Sequence, residues 1–282
     1  MLSPISNESY YFDSHAHLTS PAMVSMVDDV LSRASEAGVK KLINICTDSA
    51  SLEQGILLAK RYAWVYTAAS TPPHDVEEEG ETFFPIVEQH AMAGHLVAIG
   101  ETGLDYHYYR SSAEAQKYYL RKYLQLARQT HLPVVIHCRE AFKDFFSILD
   151  EEYIEGGKHG PGVLHCFTGT LTEAKEVVER GWYLSLSGIA TFKKSEDLRQ
   201  VAKMVPLEQL LIETDSPYLA PQSKRGRPNE PAYLAETAQI LADVKDISID
   251  TFRRQTAQNA CVLFKLKEPS IFEGSRLDLF KT

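Results

Sequence analysis

The stretch Phe12-Asp13-Ser14-His15-Ala16-His17 ends an apolar, strand-like run near the start of the chain. Side chains alternate along a strand, so His15 and His17 project to one side, about 7 Å apart along the chain. Held that way, two imidazoles can grip one divalent cation at roughly 2.0–2.1 Å. Such a pair is common by chance and means little alone. Four further strand-like runs, however, also end on a metal-ligand type: Glu101, His137, His165 and Asp215. Each has a plain structural explanation when taken singly. A histidine there can bond a neighbouring carbonyl, and Asp215 or Glu213 can cap or pair inside a barrel. Six at matching positions form a set suited to two metals. Glu101 has two oxygens and can bridge, which a histidine cannot. Asp215 can both coordinate a cation and take a proton from water, which makes it the candidate general base. The chemistry is hydrolysis, in which two cations about 3.5–4 Å apart make water more acidic and clamp the attacking and leaving oxygens.

These positions must be brought together by the elements behind them. Short runs rich in Val and Ile, bounded by Gly, Pro or Asp, occur at Tyr10–His15, Lys41–Thr47, Trp64–Ala69, Leu96–Gly100, Pro133–His137, Gly162–Cys166, Tyr183–Ser187 and Leu210–Thr214. They read as strands buried on both faces. Helical segments fall between them: Met23–Glu36 stopping at Gly38, Ser51–Arg61, Glu114–Gln129, Glu140–Leu149 and Thr172–Arg180 stopping at Gly181. A further helix is capped by Ser195, another runs from Pro231 to about Val244, and Ile249–Phe264 is the last. Leu120, Tyr123, Leu124 and Ala127 share one face at a 3.6-residue period, as do Leu198, Val201, Ala202 and Val205. Repeated strand–helix units imply a parallel sheet, and eight of them imply a closed (β/α)8 TIM-type barrel, an α/β fold. An open doubly wound sheet is the rival, but no Gly-x-Gly-x-x-Gly follows the first strand. Active sites of parallel barrels gather at the C-terminal strand ends, where the six residues stand. The expectation is one hydrolase domain over 1–282, with the barrel at about 10–265 and a tail, 268–282, that packs outside or frays. The least regular inserts are 151–162 and 222–229.

Composition narrows the partners. The 282 residues are 44% hydrophobic and 24% charged, with a net charge of −9. A protein gripping long duplex through many phosphates would be basic, so a polyanionic substrate would be met locally, by metals and a few Arg or Lys. Cys46, Cys138, Cys166 and Cys261 show no Cys-x-x-Cys spacing and suit a reducing compartment. Cys138 and Cys166 each follow a candidate ligand histidine, and strand alternation turns them toward the helices. The first ten residues are polar and lack an apolar signal core, and no run approaches about 20 apolar residues. A cytoplasmic protein with no membrane partner is expected. His90, His95, His107, His131 and His159 lack strand-end placement and read as surface or helix-packing residues.

Several longer stretches carry a resemblance. They are Asp13-Ser14-His15-Ala16-His17-Leu18, Ala98-Ile99-Gly100-Glu101-Thr102-Gly103-Leu104-Asp105-Tyr106 and Leu132-Pro133-Val134-Val135-Ile136-His137-Cys138-Arg139. They continue with His165-Cys166-Phe167-Thr168-Gly169, Glu213-Thr214-Asp215-Ser216-Pro217-Tyr218-Leu219-Ala220-Pro221 and Arg225-Gly226-Arg227-Pro228-Asn229-Glu230-Pro231. In that order, over about residues 10–265, the chain resembles the TatD family of metal-dependent deoxyribonucleases, within the amidohydrolase-type barrels. The resemblance implies His15, His17, Glu101 and Asp215 around one metal, and Glu101, His137 and His165 around the other. It implies two divalent ions, with Mg²⁺, Mn²⁺ and Zn²⁺ as candidates, and hydrolysis of DNA phosphodiesters as a 3′→5′ exonuclease. The expected partner is DNA, single-stranded or at ends, and the expected state is a monomer.

Two departures stand out. The family usually carries Gly-x-His-Pro-His after the third strand, whereas this chain has Ser70-Thr71-Pro72-Pro73-His74, with Pro72 in place of the first histidine. His74 survives, either as a partial substitute in substrate contact or as a loop residue. Thr19 stands where an acidic residue commonly follows His-x-His-Leu, which alters bonding behind the ligands. Around the mouth, Arg139 either holds a phosphate or pairs with Glu140 or Asp144. Lys224, Arg225 and Arg227 form a phosphate-guiding rim or a solvated loop, and Tyr106 and Tyr218 can stack on a base or serve as wall. Asp13 and Glu213 support the ligands from behind. Two rival functions share the scaffold: an amide, lactone or aminoacyl-ester hydrolase, such as a D-aminoacyl-tRNA deacylase, and a binding protein that keeps its metal without catalysis.

Overall fold

Strands apolar on both faces need cover on both sides, and the chain supplies it by alternating each strand with a helix. The computed structural model describes residues 9–267 except 109, so the expected tail at 268–282 lies outside the described residues. The first five strands are β1 (Tyr11–Ala16), β2 (Val39–Cys46), β3 (Val65–Ala69), β4 (Ala98–Asp105) and β5 (Val134–Arg139). A small antiparallel hairpin, β6 (Ile154–Glu155) and β7 (Lys158–His159), occupies the irregular insert at 151–162, turning on Gly156 and Gly157. The sheet resumes with β8 (Gly162–Leu164), β9 (Tyr183–Leu186) and β10 (Leu210–Ile212). Eight strands pair in parallel in the order β1-β2-β3-β4-β5-β8-β9-β10. The two ends of that order meet beyond β10. Ala16 bridges Ser216 in parallel, the Asp215 amide donates to the His15 carbonyl at 2.9 Å, and the His17 amide donates to the Ser216 carbonyl at 2.7 Å. The result is a nearly closed (β/α)8 barrel.

Helices α1 (Val27–Glu36), α2 (Ser49–Arg61), α3 (Val76–Met92), α4 (Ala113–Thr130) and α5 (Phe142–Glu152) cover the first half. The second half is covered by α6 (Leu171–Glu179), α7 (Glu196–Met204), α8 (Leu234–Lys245) and α9 (Ile249–Leu263). Local chemistry starts several of them: Asp48 and Ser51 form a capping box on α2, and Thr170 and Glu173 form another on α6. Ser195 precedes α7 but makes no side-chain cap bond, against expectation. α3 is the helix the sequence pattern did not announce. Gly80 and Pro85 interrupt it, and both read as breakers in isolation. Gly80 is needed for packing, since a Cβ there would lie 2.5–2.8 Å from the Tyr119 ring on α4.

The faces expected on α4 and α7 are buried. Inside the barrel, Phe12, Ile43, Ile45, Ala68, Ala98, Val135, Val163 and Leu211 form one cluster, with Tyr183 against it. Every barrel strand contributes. Ala257, Ala260, Cys261, Leu263 and Phe264, at the end of the last helix, complete that cluster and close one end of the barrel. None of the described helices is long and apolar enough to cross a membrane.

Candidate metal centre

The open end is shaped by two slips in strand pairing. Between β1 and β2 the register shifts between Asp13 and Ala16, around His15, and between β4 and β5 it shifts between Gly100 and Thr102, at Glu101. Bulges re-aim side chains at barrel rims, and here both fall at candidate ligands. Asp215 takes a left-handed backbone, φ 57°, which Asp tolerates better than most residues. The seam that closes the barrel therefore also aims His15, His17 and Asp215 at one point.

The histidines there close around Glu101 Oε2. This oxygen lies 2.9 Å from His15 Nε2, 3.2 Å from His165 Nε2 and 3.7 Å from His17 Nε2. Asp215 Oδ1 stands 3.4 Å from His17 Nε2 and 3.6 Å from His15 Nε2. The His15 and His17 Nε2 atoms are 3.2 Å apart, and the His15 ring stacks on His165 with centroids 3.9 Å apart. Donors arranged at about 2.1 Å around a common cation stand about 3.0–3.4 Å from one another, close to the spacings found. The polar inventory agrees. Glu101 Oε2, His15 Nδ1, both His165 nitrogens and both Glu213 oxygens are buried without hydrogen-bonding geometry to any partner. Buried polar atoms are normally satisfied, and a cation among them would satisfy those that face it. Nitrogen and oxygen donors with no thiolate suit Zn²⁺, Mn²⁺ or Mg²⁺. Two of the donor sets that could hold an ion are His15, His17 and Glu101, and Glu101, His137 and His165; Asp215 joins a third with His15 and His165. The residues present fit a pair of divalent cations.

Charges inside this pocket are set by neighbours working against burial. Burial and the charge on His165 lower the pKa of His15. Burial also disfavours charged His165, but Glu101 and Glu213 outweigh it and raise this group to about 9. His17 is raised as well, because its bond to Asp215 and the charge of Glu101 overcome burial. Burial would raise Glu101 and Asp215, yet the surrounding histidines hold both below their ordinary values. Both carboxylates are thus anionic at neutral pH, in a pocket that attracts positive charge.

Behind the ligands, Glu213 Oε1 is 3.5 Å from His165 Nδ1, leaving Nε2 on the Glu101 side. Asp13 accepts from the Thr214 amide and hydroxyl and from the His15 amide, tying β1 to the segment that carries Asp215. Thr19 accepts from Asn44 Nδ2 at 3.1 Å and helps fix the end of β1. Asp105 was not expected as a site residue. Its Oδ2 lies 2.8 Å from His137 Nε2 and 3.0 Å from His74 Nε2. Its Oδ1 accepts from the His107 and Tyr108 amides, both at 2.8 Å. A histidine bonded through one nitrogen offers a metal the other, so His137 is left with Nδ1. The signal was present in the sequence: Glu101, Gly103 and Asp105 alternate along β4, which runs past Gly100 to Asp105. Gly103 lets the two strands meet, because at φ 147° a Cβ there would collide with the His137 carbonyl oxygen.

A cleft of about 710 Å³ opens above the ligands, lined among others by His17, Glu101, His137, His165 and Asp215. Arg139, His74, Pro72 and Tyr218 line it too. Arg139 lies over the Tyr108 ring and pairs with neither Glu140 nor Asp144. Tyr106, Arg225 and Arg227 are not among the lining residues. The Tyr106 hydroxyl donates to Asp144 at 2.8 Å, because the chain bends after Asp105 and turns that ring toward α5. Arg225 lies over the Phe192 ring, and Arg227 sits exposed in the loop after the Gln222–Lys224 turn. Cys166 is part-exposed and lines the cleft rather than turning wholly toward the helices, and its Sγ is 3.3 Å from the Ser187 hydroxyl.

Comparisons with known proteins agree with this geometry. A family model described as TatD related DNase matches residues 12–265. YabD of Bacillus subtilis, an uncharacterized metal-dependent hydrolase, is 34% identical over 255 residues, covering 90% of this chain and 99% of its own. A protein of Erwinia tasmaniensis named 3'-5' ssDNA/RNA exonuclease TatD is 36% identical over 263 residues, covering 90% of this chain and all of its own. Among solved structures, YjjV of Escherichia coli, a TatD homolog, superposes with a TM-score of 0.85 at 27% identity, over 91% of this chain and 98% of that one.

Proposed function

The chain is a metal-dependent hydrolase of the TatD-related DNase family, and from that premise we propose that it cleaves DNA phosphodiesters from the 3′ end. The observation that carries this reading is the convergence of His15, His17 and His165 around Glu101 Oε2, with Asp215 against His15 and His17, beneath a cleft whose two arginines form no ion pair among the described residues. The name of the Erwinia relative supports the 3′→5′ direction and a single-stranded substrate. Four unbridged cysteines are compatible with work in a reducing cytoplasm. All the donors come from one chain, which suits a monomer.

His15, His17, Glu101 and Asp215 would hold one cation, and Glu101, His137 and His165 a second, with Glu101 shared. Bound there, two divalent cations polarise a phosphoryl oxygen and make water more acidic. Asp215, anionic at neutral pH, accepts the proton of the attacking water at a carboxylate oxygen. Glu101 fixes the spacing of the two donor sets by facing His15 and His165 with the same oxygen. Asp105 holds the His137 ring in place from behind, and the Glu213 carboxylate lies 3.5 Å behind His165. Asp215→Asn is expected to lower hydrolysis of a single-stranded oligonucleotide by about 10²–10⁴-fold. A rate near that of the unmodified protein would overturn the assignment. Turnover of a D-aminoacyl-tRNA with no cleavage of DNA would favour the ester-hydrolase alternative.

A further inference from the structure

Many arginines of this acidic chain are neutralised. Arg33, Arg61, Arg121, Arg180, Arg199 and Arg253 each pair with a carboxylate. The two that line the cleft above the metal centre, Arg110 and Arg139, form no ion pair among the described residues, although Asp75 feels the charge of Arg110 at longer range. Arg139 instead lays its guanidinium over the Tyr108 ring, 5.0 Å from the centroid. Tyr108 lines the cleft, is 50% exposed, and is braced edge-on by His74 at 5.8 Å. The rest of the rim differs. It carries Asp48 after β2 and a half-exposed Tyr218 after β10, and Arg110 and Arg139 are the only lysine or arginine residues among the described lining.

Guanidinium groups suit phosphate oxygens, and these two, engaged by no ion pair among the described residues, are open to them. A guanidinium stacked on a tyrosine also offers an extended π-surface, on which any base can stack regardless of sequence. We infer that Tyr108 and Arg139, with Arg110, form the subsite for the nucleotide adjacent to the scissile phosphodiester, the base stacking on the Tyr108–Arg139 pair and its phosphate meeting the two guanidiniums. The inference rests on the phosphodiesterase reading above and adds the side chains that meet the nucleotide. A base can lie on that pair only when it is unstacked from its neighbours and unpaired, so the bound segment is single-stranded. Because Arg110 follows β4 and Arg139 ends β5, the rest of the strand leaves over the β4–β5 side.

Steady-state kinetics on an end-labelled single-stranded oligonucleotide test this. Tyr108→Ala and Arg139→Ala should each raise KM roughly 5- to 100-fold, with a smaller change in kcat. Tyr108→Phe should restore KM to near the unmodified value. Arg139→Ala and Arg110→Ala should also flatten the salt dependence of KM, by about 0.7 in the log–log slope for each phosphate no longer met by a guanidinium. Equilibrium binding of the same oligonucleotide, followed by fluorescence anisotropy in metal-loaded Asp215→Asn protein, should weaken in parallel. Hydrolysis by the unmodified protein with KM unmoved in Tyr108→Ala and Arg139→Ala would overturn the subsite and leave the function standing. Absence of any oligonucleotide hydrolysis by the unmodified protein would overturn both.

Discussion

On the β1–β10 side of the metal centre, His15, His17 and Asp215 hang from the backbone seam that closes the barrel. Amide–carbonyl bonds of 2.7 and 2.9 Å set their spacing, and all three side chains are buried. On the β4–β5 side, His137 is part-exposed and is steadied by the Asp105 carboxylate, which also holds His74. One half of the site therefore hangs from the closing seam, whereas on the other the His137 ring depends on a single carboxylate and a close glycine approach. The two proposed cation positions should accordingly respond differently to change near them.

The largest effect is expected from Gly103→Ala. The new Cβ would strike the His137 carbonyl and push β5 away from β4. Turnover should fall by about 100-fold or more, as for other ångström-scale misplacements, and metal analysis should find one ion per chain in place of two. Retention of two ions with full turnover would mean that the β4–β5 half is no more fragile than the seam. Asp105→Ala leaves the strands in place but frees the His137 ring. Affinity at the second position should fall about 10- to 100-fold, with the first little changed, as read by titration of a chelator-stripped protein. Equal weakening at both positions would show that the halves are not independent.

Stripping the cations with a chelator should lower Tm by roughly 5–10 °C. That is the size expected for losing about 2.7 kcal/mol of linkage in a chain of this length. A pH-dependent effect concerns the β1–β10 side. Burial raises the Asp13 carboxyl from 3.8 to about 7 despite its bonds to Thr214 and His15. A raised carboxyl is protonated more readily in the folded than in the unfolded state, so its contribution is full below about pH 4 and is lost as pH rises toward 7. Asp13→Asn should remove that slope, gaining stability relative to the unmodified protein between pH 4 and 7 in chemical denaturation. An unchanged slope would assign the loss elsewhere.

The contrast between the halves also tracks what could be read from sequence. The barrel strands are apolar runs because they are buried on both faces, and that composition is visible without a structure. The six ligand types stand at strand ends, where alternation fixes their direction. Asp105 escaped notice because β4 continues five residues beyond Gly100, through Gly103, a residue that usually signals a break. Tyr106 and Tyr108 illustrate a second limit. Once the strand has ended, a bend decides which ring faces the mouth, and that bend is set by Asp105 accepting two backbone amides. α3 was hidden by Gly80, whose reason for being there is the Tyr119 ring of another helix. Arg225 and Arg227 belong to a loop whose placement depends on distant partners such as Phe192.

Among the described residues, the apolar plug supplied by the last helix leaves this vessel with one door. A polymer cannot be drawn through from front to back, so whatever enters to be cut must withdraw by the same opening. Short, liberated pieces clear such a doorway readily, whereas an interior stretch of a long strand would have to fold back on itself to reach the floor.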